Sequence, residues 1–356
     1  MKFAFVITNL AGGGAERAVL NIAGALAAKG HDVHLLLLER VMAYTVPAGI
    51  SVHVLDRLSK GFFGKRLAAL RLRRLWRRLS DPQPFHLVIS ALPFANEIAI
   101  LARLPRLWCR VDDSLSVEIE LLRAKNPPKA DRRLARYRRL YGACPLIAVS
   151  QGVVDDLRVA LGLGQARIEC IYNPFDLAAI GARASEPLSL PQSPYVIHVG
   201  RFAKQKRHDV LLDAWAQVDA PHRLVLLTHD APDLIDMITT RGLAPRVVVA
   251  GFQSNPYAWV AGADLLVLSS DHEGLPSVII EALAVGTPVV STDCRSGPRE
   301  ILGDVFPECL VPVGDPTALA RAIERALAHP PDPARIKLSP YATETVIAAY
   351  ERLAAA

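Results

Sequence analysis

The chain opens on an apolar run, KFAFVITNL, followed by Gly12, Gly13 and Gly14, a helical pattern over 16–29, and a second apolar run, HDVHLLLLER. Uninterrupted apolar runs around a glycine turn and a segment of helical period predict strand, turn, helix and strand, a βαβ unit in a parallel sheet buried on both faces. Further strands are expected at 86–90 and 146–149, with helical stretches between them. After 181–194 (GARASEPLSLPQSP), which is small, polar and proline-punctuated as linkers are, the alternation restarts. YVIHVGR, RLVLLT, VVVAGF, DLLVLSS and TPVVST alternate with helices over 209–218, near Leu234, near Pro256 and through Glu281. This alternation predicts a second parallel sheet. The expected organisation is a Rossmann-like domain over 1–180, a linker over 181–194, a second Rossmann-like domain over 195–340, and an Ala-rich helix over 341–356 that packs back on the first domain.

Composition agrees with two globular domains: 356 residues, 51% hydrophobic and 21% charged. The five cysteines form no CxxC pair and read as reduced thiols. The charge-free stretch 247–263 carries Gln253-Ser254-Asn255-Pro256 at its middle, so no membrane-spanning helix is expected. Lys2 and the short apolar run after it read as a first strand rather than a signal peptide, which places the expected site of action in the cytoplasm.

Charge changes the picture. The formal net charge is +6, but residues 1–180 carry 26 Lys/Arg against 15 Asp/Glu, while the remainder is net acidic. Nine of those cations lie in 57–78, from Arg57 to Arg78, with no acid among them and with Phe62, Phe63, Leu67, Leu70, Leu75 and Trp76 interleaved. This is the pattern of an interfacial helix on an anionic membrane surface, peripheral to the inner face of the plasma membrane. The alternative is a solvated surface helix whose Leu and Trp pack on the domain core. A second run over 123–139 has eight cations and only Asp131. No RNP pattern, zinc finger or recognition helix accompanies either run, so nucleic acid is not an expected partner.

Candidate chemistry concentrates in DHEGLPSVIIEALAVGTPVV. Pro276 suits the opening of a helix, and the backbone N–H groups of Gly274, Leu275 and Ser277 to Ile279 would point at an anion there. Glu273 just outside that terminus suits a ligand rich in hydroxyls, and Glu281 suits a vicinal diol; each is also accounted for as a cap or helix-surface residue. In HVGRFAKQKRHDVLLDAW, Arg201 and Lys206 follow a strand and precede a helix, where open α/β sheets bind ligands. Two cations there would neutralise a diphosphate.

Together these motifs resemble the retaining glycosyltransferases of family 4, with the GT-B fold of two Rossmann-like doubly wound parallel-sheet domains facing a central cleft. The marks are GGGAER near the N-terminus, YNPFD at 172–176 with Asn173, VGRFAKQKR, the GFQSNP loop, EGLPSVIIE, and GTPVVST followed by GPREIL. The resemblance implies that Arg201 and Lys206 bind the diphosphate of a nucleotide sugar, Glu281 its ribose hydroxyls and Glu273 the transferred sugar. It implies that Phe252 and Gln253 hold the base, and that Gly13 and Gly14 admit phosphate or sugar across the cleft. By resemblance the donor is UDP-linked. The acceptor is a glycan or lipid-linked glycan held by the basic N-terminal domain, as in surface-polysaccharide pathways.

Many relatives carry a histidine near the reacting centre of the N-terminal domain, whereas here the comparable stretch is CRVDDS. Arg110 is a candidate sugar or acceptor contact and Asp112 or Asp113 a candidate for orienting the acceptor hydroxyl, with loop or cap roles equally open. His272 is a candidate sugar contact and otherwise a strand-end residue. No two aspartates lie two positions apart and the histidines are scattered, so neither a metal nor another cofactor is expected. A nicotinamide site is disfavoured because Gly12 and Gly14 are followed by Arg17 where a third glycine would fall. A non-catalytic membrane-surface or nucleotide-binding module on the same scaffold is the other alternative, and Arg201, Lys206, Glu273 and Glu281 argue against it.

Overall fold

A computed structural model describes residues 1–55, 61–188 and 193–356. Two compact units are present, one comprising Met1–Pro174 with Thr343–Ala356, the other Phe175–Ala342. Residues 181–184 therefore complete a helix, Leu177–Ala184, inside the second unit. The rest of the expected linker lies in part outside the described residues. The terminal helix Thr343–Ala355 buries Val346, Ile347 and Tyr350 in the core of the first unit.

The first unit holds a seven-stranded parallel sheet: β1 (Lys2–Ile7), β2 (Asp32–Leu37), β3 (Ile50–Val54), β4 (Leu87–Ala91), β5 (Leu107–Val111), β6 (Leu146–Ala148) and β7 (Ile168–Cys170), in the order β3-β2-β1-β4-β5-β6-β7. β1 is central and every residue of it is buried, which is why KFAFVI shows no alternation. The second unit holds β8 (Tyr195–Val199), β9 (Arg223–Leu227), β10 (Val247–Val249), β11 (Leu265–Leu268), β12 (Val289–Thr292) and β13 (Leu310–Val311), in the order β10-β9-β8-β11-β12-β13. Both are doubly wound α/β sheets, as the sequence leads one to expect. Strand order reverses between β1 and β4 in the first and between β8 and β11 in the second. Crevices open at such switch points, beyond the carboxyl ends of the strands, because the connections on either side run in opposite directions.

Candidate active site

In the second unit the sequence motifs meet at the switch point. Arg201 to Lys206 follow β8, and His272 to Ser277 follow β11. The two loops are stitched together by hydrogen bonds from Gln205 Nε2 to the His272 carbonyl (2.6 Å), from the Asp271 N–H to the Gln205 carbonyl (2.9 Å), and from Ser269 Oγ to the Lys206 carbonyl (2.7 Å). Arg207 has left-handed backbone (φ 49°) and donates to Asp209 and, at 2.8 Å, to Asp271, so its charge is spent inside the fold. Lys206 Nζ donates to Glu273 Oε1 at 2.6 Å, and Ser270 Oγ donates to the same oxygen at 2.7 Å. Arg201 is exposed and has no ion pair or side-chain hydrogen bond among the described residues.

Behind Lys206 lie two buried imidazoles, His198 and His208, with ring centroids 4.8 Å apart. His198 Nδ1 donates to the Val267 carbonyl at 2.9 Å, which leaves Nε2 as a buried acceptor with no partner among the described residues. Burial holds His198 well below its ordinary range, reinforced by His208 and Lys206; burial and then Lys206 hold His208 at about 4. Both rings are neutral at physiological pH, so they add no positive charge behind the lysine. A side chain at Gly200 would touch His198 and the Lys206 stem at 3.3–3.5 Å.

The helix expected after Pro276 spans Ser277–Ala284, with Pro276 at the capping position and Glu281 half-buried on its second turn. One expectation is corrected: the Ile279 N–H donates to the Pro276 carbonyl at 3.0 Å and is not available to an anion. Leu275, Ser277 and Val278 remain at the helix start. Gly297, in the GPREIL segment, has φ 96°, and a Cβ there would fall 2.2 Å from Pro276 Cδ, so only glycine lets that turn support the helix start. Gly297 is not among the residues singled out from the sequence; the Gly-Pro pair is the signal that would have found it.

Phe252 is 72% exposed and lies parallel to His229, centroids 5.5 Å apart. His229 carries no motif; its place two residues beyond the end of β9 is the signal that would have found it. Gln253 Nε2 donates to the Ala250 carbonyl at 2.6 Å, fixing the loop that presents Phe252.

In the first unit, Gly12 to Gly14 lie between β1 and the helix Gly14–Ala28. Gly12 (φ 112°) is the position whose backbone needs glycine, whereas Gly14 has open space around it. The Gly13 carbonyl accepts from Tyr44 Oη at 3.3 Å. Arg110, on β5, is wholly buried. It donates to Asp112 Oδ1 (2.8 Å), Tyr350 Oη (2.9 Å) and Asn173 Oδ1. Burial pulls its pKa down, but Asp112 and Tyr350 outweigh this and the net shift is upward. Every terminal nitrogen thus has a partner within the unit, and a direct sugar contact by Arg110 or Asn173 would have to break this network. Asp112 Oδ2 is buried and has no partner among the described residues. Asp113 accepts from the Ser114 N–H at 2.8 Å, a contact between neighbouring residues just ahead of the helix Leu115–Lys125.

The basic helix spans Phe62–Leu79; Arg57 and Lys60 and the Phe62 side chain lie outside what is described. Its apolar residues divide between two faces rather than forming one. Ala68, Ala69 and Leu72 are buried in the unit, with Leu75 and Trp76 half-buried beside them. Phe63, Leu67 and Leu70 are 82%, 48% and 56% exposed, and at spacings of four and three they form one outward ridge that Arg74 continues. Exposed Arg66, Arg73 and Arg77 flank the ridge on one side and Arg71 and Arg78 on the other. In the second basic run three of the eight cations form ion pairs: Arg123 with Asp131, Arg133 with Glu118, and Arg136 with Glu97. No helix among the described residues is long and apolar enough to cross a membrane, and no group of three metal-ligating side chains occurs among them.

Residues 12–179 match the family model for Glycosyltransferase Family 4, and residues 193–329 that for glycosyl transferases group 1. The chain belongs to this family of glycosyltransferases. It is 29% identical over 344 residues to the N-acetylgalactosamine-N,N'-diacetylbacillosaminyl-diphospho-undecaprenol 4-alpha-N-acetylgalactosaminyltransferase of Campylobacter jejuni, covering 92% of this chain and 90% of that one. It is 29% identical over 164 residues to the lipopolysaccharide 1,6-galactosyltransferase of Salmonella typhimurium, covering 45% and 46%. Among solved structures, Anabaena HepE in complex with UDP and glucose superposes with a TM-score of 0.75 at 20% identity, covering 100% of each chain. The apo form of the lipopolysaccharide outer core galactosyltransferase WaaB superposes at 0.70 and 19% identity, covering 99% of each. The GT-B fold expected from the motifs is therefore the fold of this chain.

Proposed function

We propose that this glycosyltransferase is a retaining, metal-independent enzyme that takes sugar from a UDP-linked donor and passes it to a lipid-linked glycan at the cytoplasmic face of an anionic membrane. The observation that carries the donor half is the assembly of Arg201, Lys206 and Glu273 at the β8/β11 switch point. Diphosphate lies against Arg201, Lys206 and the N–H groups at the start of the Ser277–Ala284 helix, with sugar hydroxyls at Glu273, ribose at Glu281 and base against Phe252. The bond from the sugar C1 to the diphosphate breaks with its electron pair on the phosphate oxygen, and the acceptor hydroxyl bonds to C1 on the same face. Its proton passes to the departing phosphate oxygen. Such a step needs stabilisation of the leaving group more than a protein base, and preorganised cations supply it. Asp112, held by Arg110 through Oδ1, is the group assigned to orient the acceptor hydroxyl. The UDP complex of HepE and the names of the Campylobacter and Salmonella relatives support the donor and acceptor classes.

Calorimetric titration with UDP and GDP in EDTA tests the donor half. UDP is expected to bind and GDP not; binding of GDP alone would change the donor, and binding only on adding Mg²⁺ would overturn metal independence.

The membrane half rests on the Phe63-Leu67-Leu70 ridge and its flanking arginines. Exposed apolar side chains bordered by cations match a lipid interface, where each arginine contributes about 1 kcal/mol near anionic headgroups. The protein is expected to co-float with phosphatidylglycerol vesicles but not phosphatidylcholine vesicles. Changing Arg71, Arg73, Arg74 and Arg77 together to Glu should abolish co-flotation without changing UDP affinity. Persistence of vesicle binding in that variant would sink the assignment.

A further inference from the structure

The loop after β8 presents Arg201 and Lys204, both exposed and without an ion pair among the described residues, and one cation whose charge is already answered, Lys206. Its partner Glu273 is the acid that the donor reading assigns to the transferred sugar. The two groups meant for opposite ends of the donor are thus bonded to each other. We propose that this ion pair is an exchange latch that makes the site favour an intact sugar donor over the free nucleotide diphosphate. The inference rests on the donor-site reading above.

The surroundings suit an exchange of partners rather than a fixed strut. The Lys206 backbone is held by Ser269 Oγ on its carbonyl and by the bond from its N–H to the Ala203 carbonyl (2.9 Å), so the exchange needs only side-chain movement. When Nζ turns to a diphosphate, Glu273 Oε1 keeps the Ser270 hydroxyl. His198 and His208 behind the lysine are neutral and add no repulsion to either position. A sugar hydroxyl completes the exchange by donating to Glu273 in place of the lysine. Free UDP brings the diphosphate without that hydroxyl, so it must draw Lys206 away and leave a mostly buried carboxylate short of a partner. The latch therefore weakens binding of UDP alone and assists its release after transfer.

The test is calorimetric titration of UDP into wild-type protein, Glu273→Gln and Glu273→Asp. Gln keeps the shape and removes the charge that competes for Lys206, so UDP is expected to bind about tenfold more tightly, with the Asp variant between Gln and wild type. If UDP binds wild type and binds the Gln variant equally or more weakly, the latch is overturned. Should Glu273→Gln fail to fold, the Asp variant decides: tighter binding supports the latch, and equal or weaker binding overturns it. Failure of wild type to bind UDP overturns the donor reading itself, and the latch with it.

Discussion

Replacing Arg201 by alanine is expected to lower turnover about a hundredfold or more, read as UDP released from the sugar donor, while leaving thermal stability unchanged. The side chain is exposed and unpaired among the described residues, so its removal leaves no orphaned group and no cavity. Its effect belongs to the reaction: a cation fixed beside a leaving diphosphate contributes on the order of 3 kcal/mol to the transition state. Lys206→Ala is expected to cost as much turnover and also to destabilise the second unit, because Glu273 would lose its ion-pair partner and keep, among the described residues, the side-chain hydrogen bond from Ser270. The two variants therefore separate when activity and hydrogen exchange in the second unit are read side by side. Full activity in Arg201→Ala would remove the diphosphate from this loop.

Much of the second unit was legible because its chemistry lies on contiguous segments beside strongly apolar strands. Arg201, Lys206, Glu273 and Glu281 lie within two motifs, and the strands that aim them read as plain runs of Val, Leu and Ile. The pairing of Lys206 with Glu273 was not legible, since 67 residues separate them and only the adjacency of β8 and β11 brings them together. Strands whose sequence departs from an apolar run were missed. β3 (ISVHV) is a half-exposed edge strand, β7 (IEC) has three residues, and β5 (LWCRV) is wholly buried yet carries an arginine. Two faces on the basic helix were equally hidden, because composition reports that apolar residues are present and not which way each points.

Arg110, the residue that disguised β5, is expected to cost about 3–5 kcal/mol when replaced by methionine, the magnitude for removing one partner of a buried ion pair. Methionine fills similar space but leaves the Asp112 carboxylate, the Tyr350 hydroxyl and the Asn173 amide without their shared donor. Tyr350→Phe, which deletes one hydrogen bond to a charged group, is expected to cost about 1.5–3 kcal/mol. Because the chain has two units, a single unfolding midpoint mixes them. Hydrogen exchange at β5 and at the Thr343–Ala355 helix is the suitable readout, and both elements should lose protection together in either variant. The same clamp aims Asp112, so Tyr350→Phe should also reduce turnover while UDP affinity, which the proposed donor site places on the other unit, is expected to stay unchanged. If Arg110→Met kept its exchange protection and lost activity alone, Arg110 would be a ligand contact rather than the pin that fixes the terminal helix to β5.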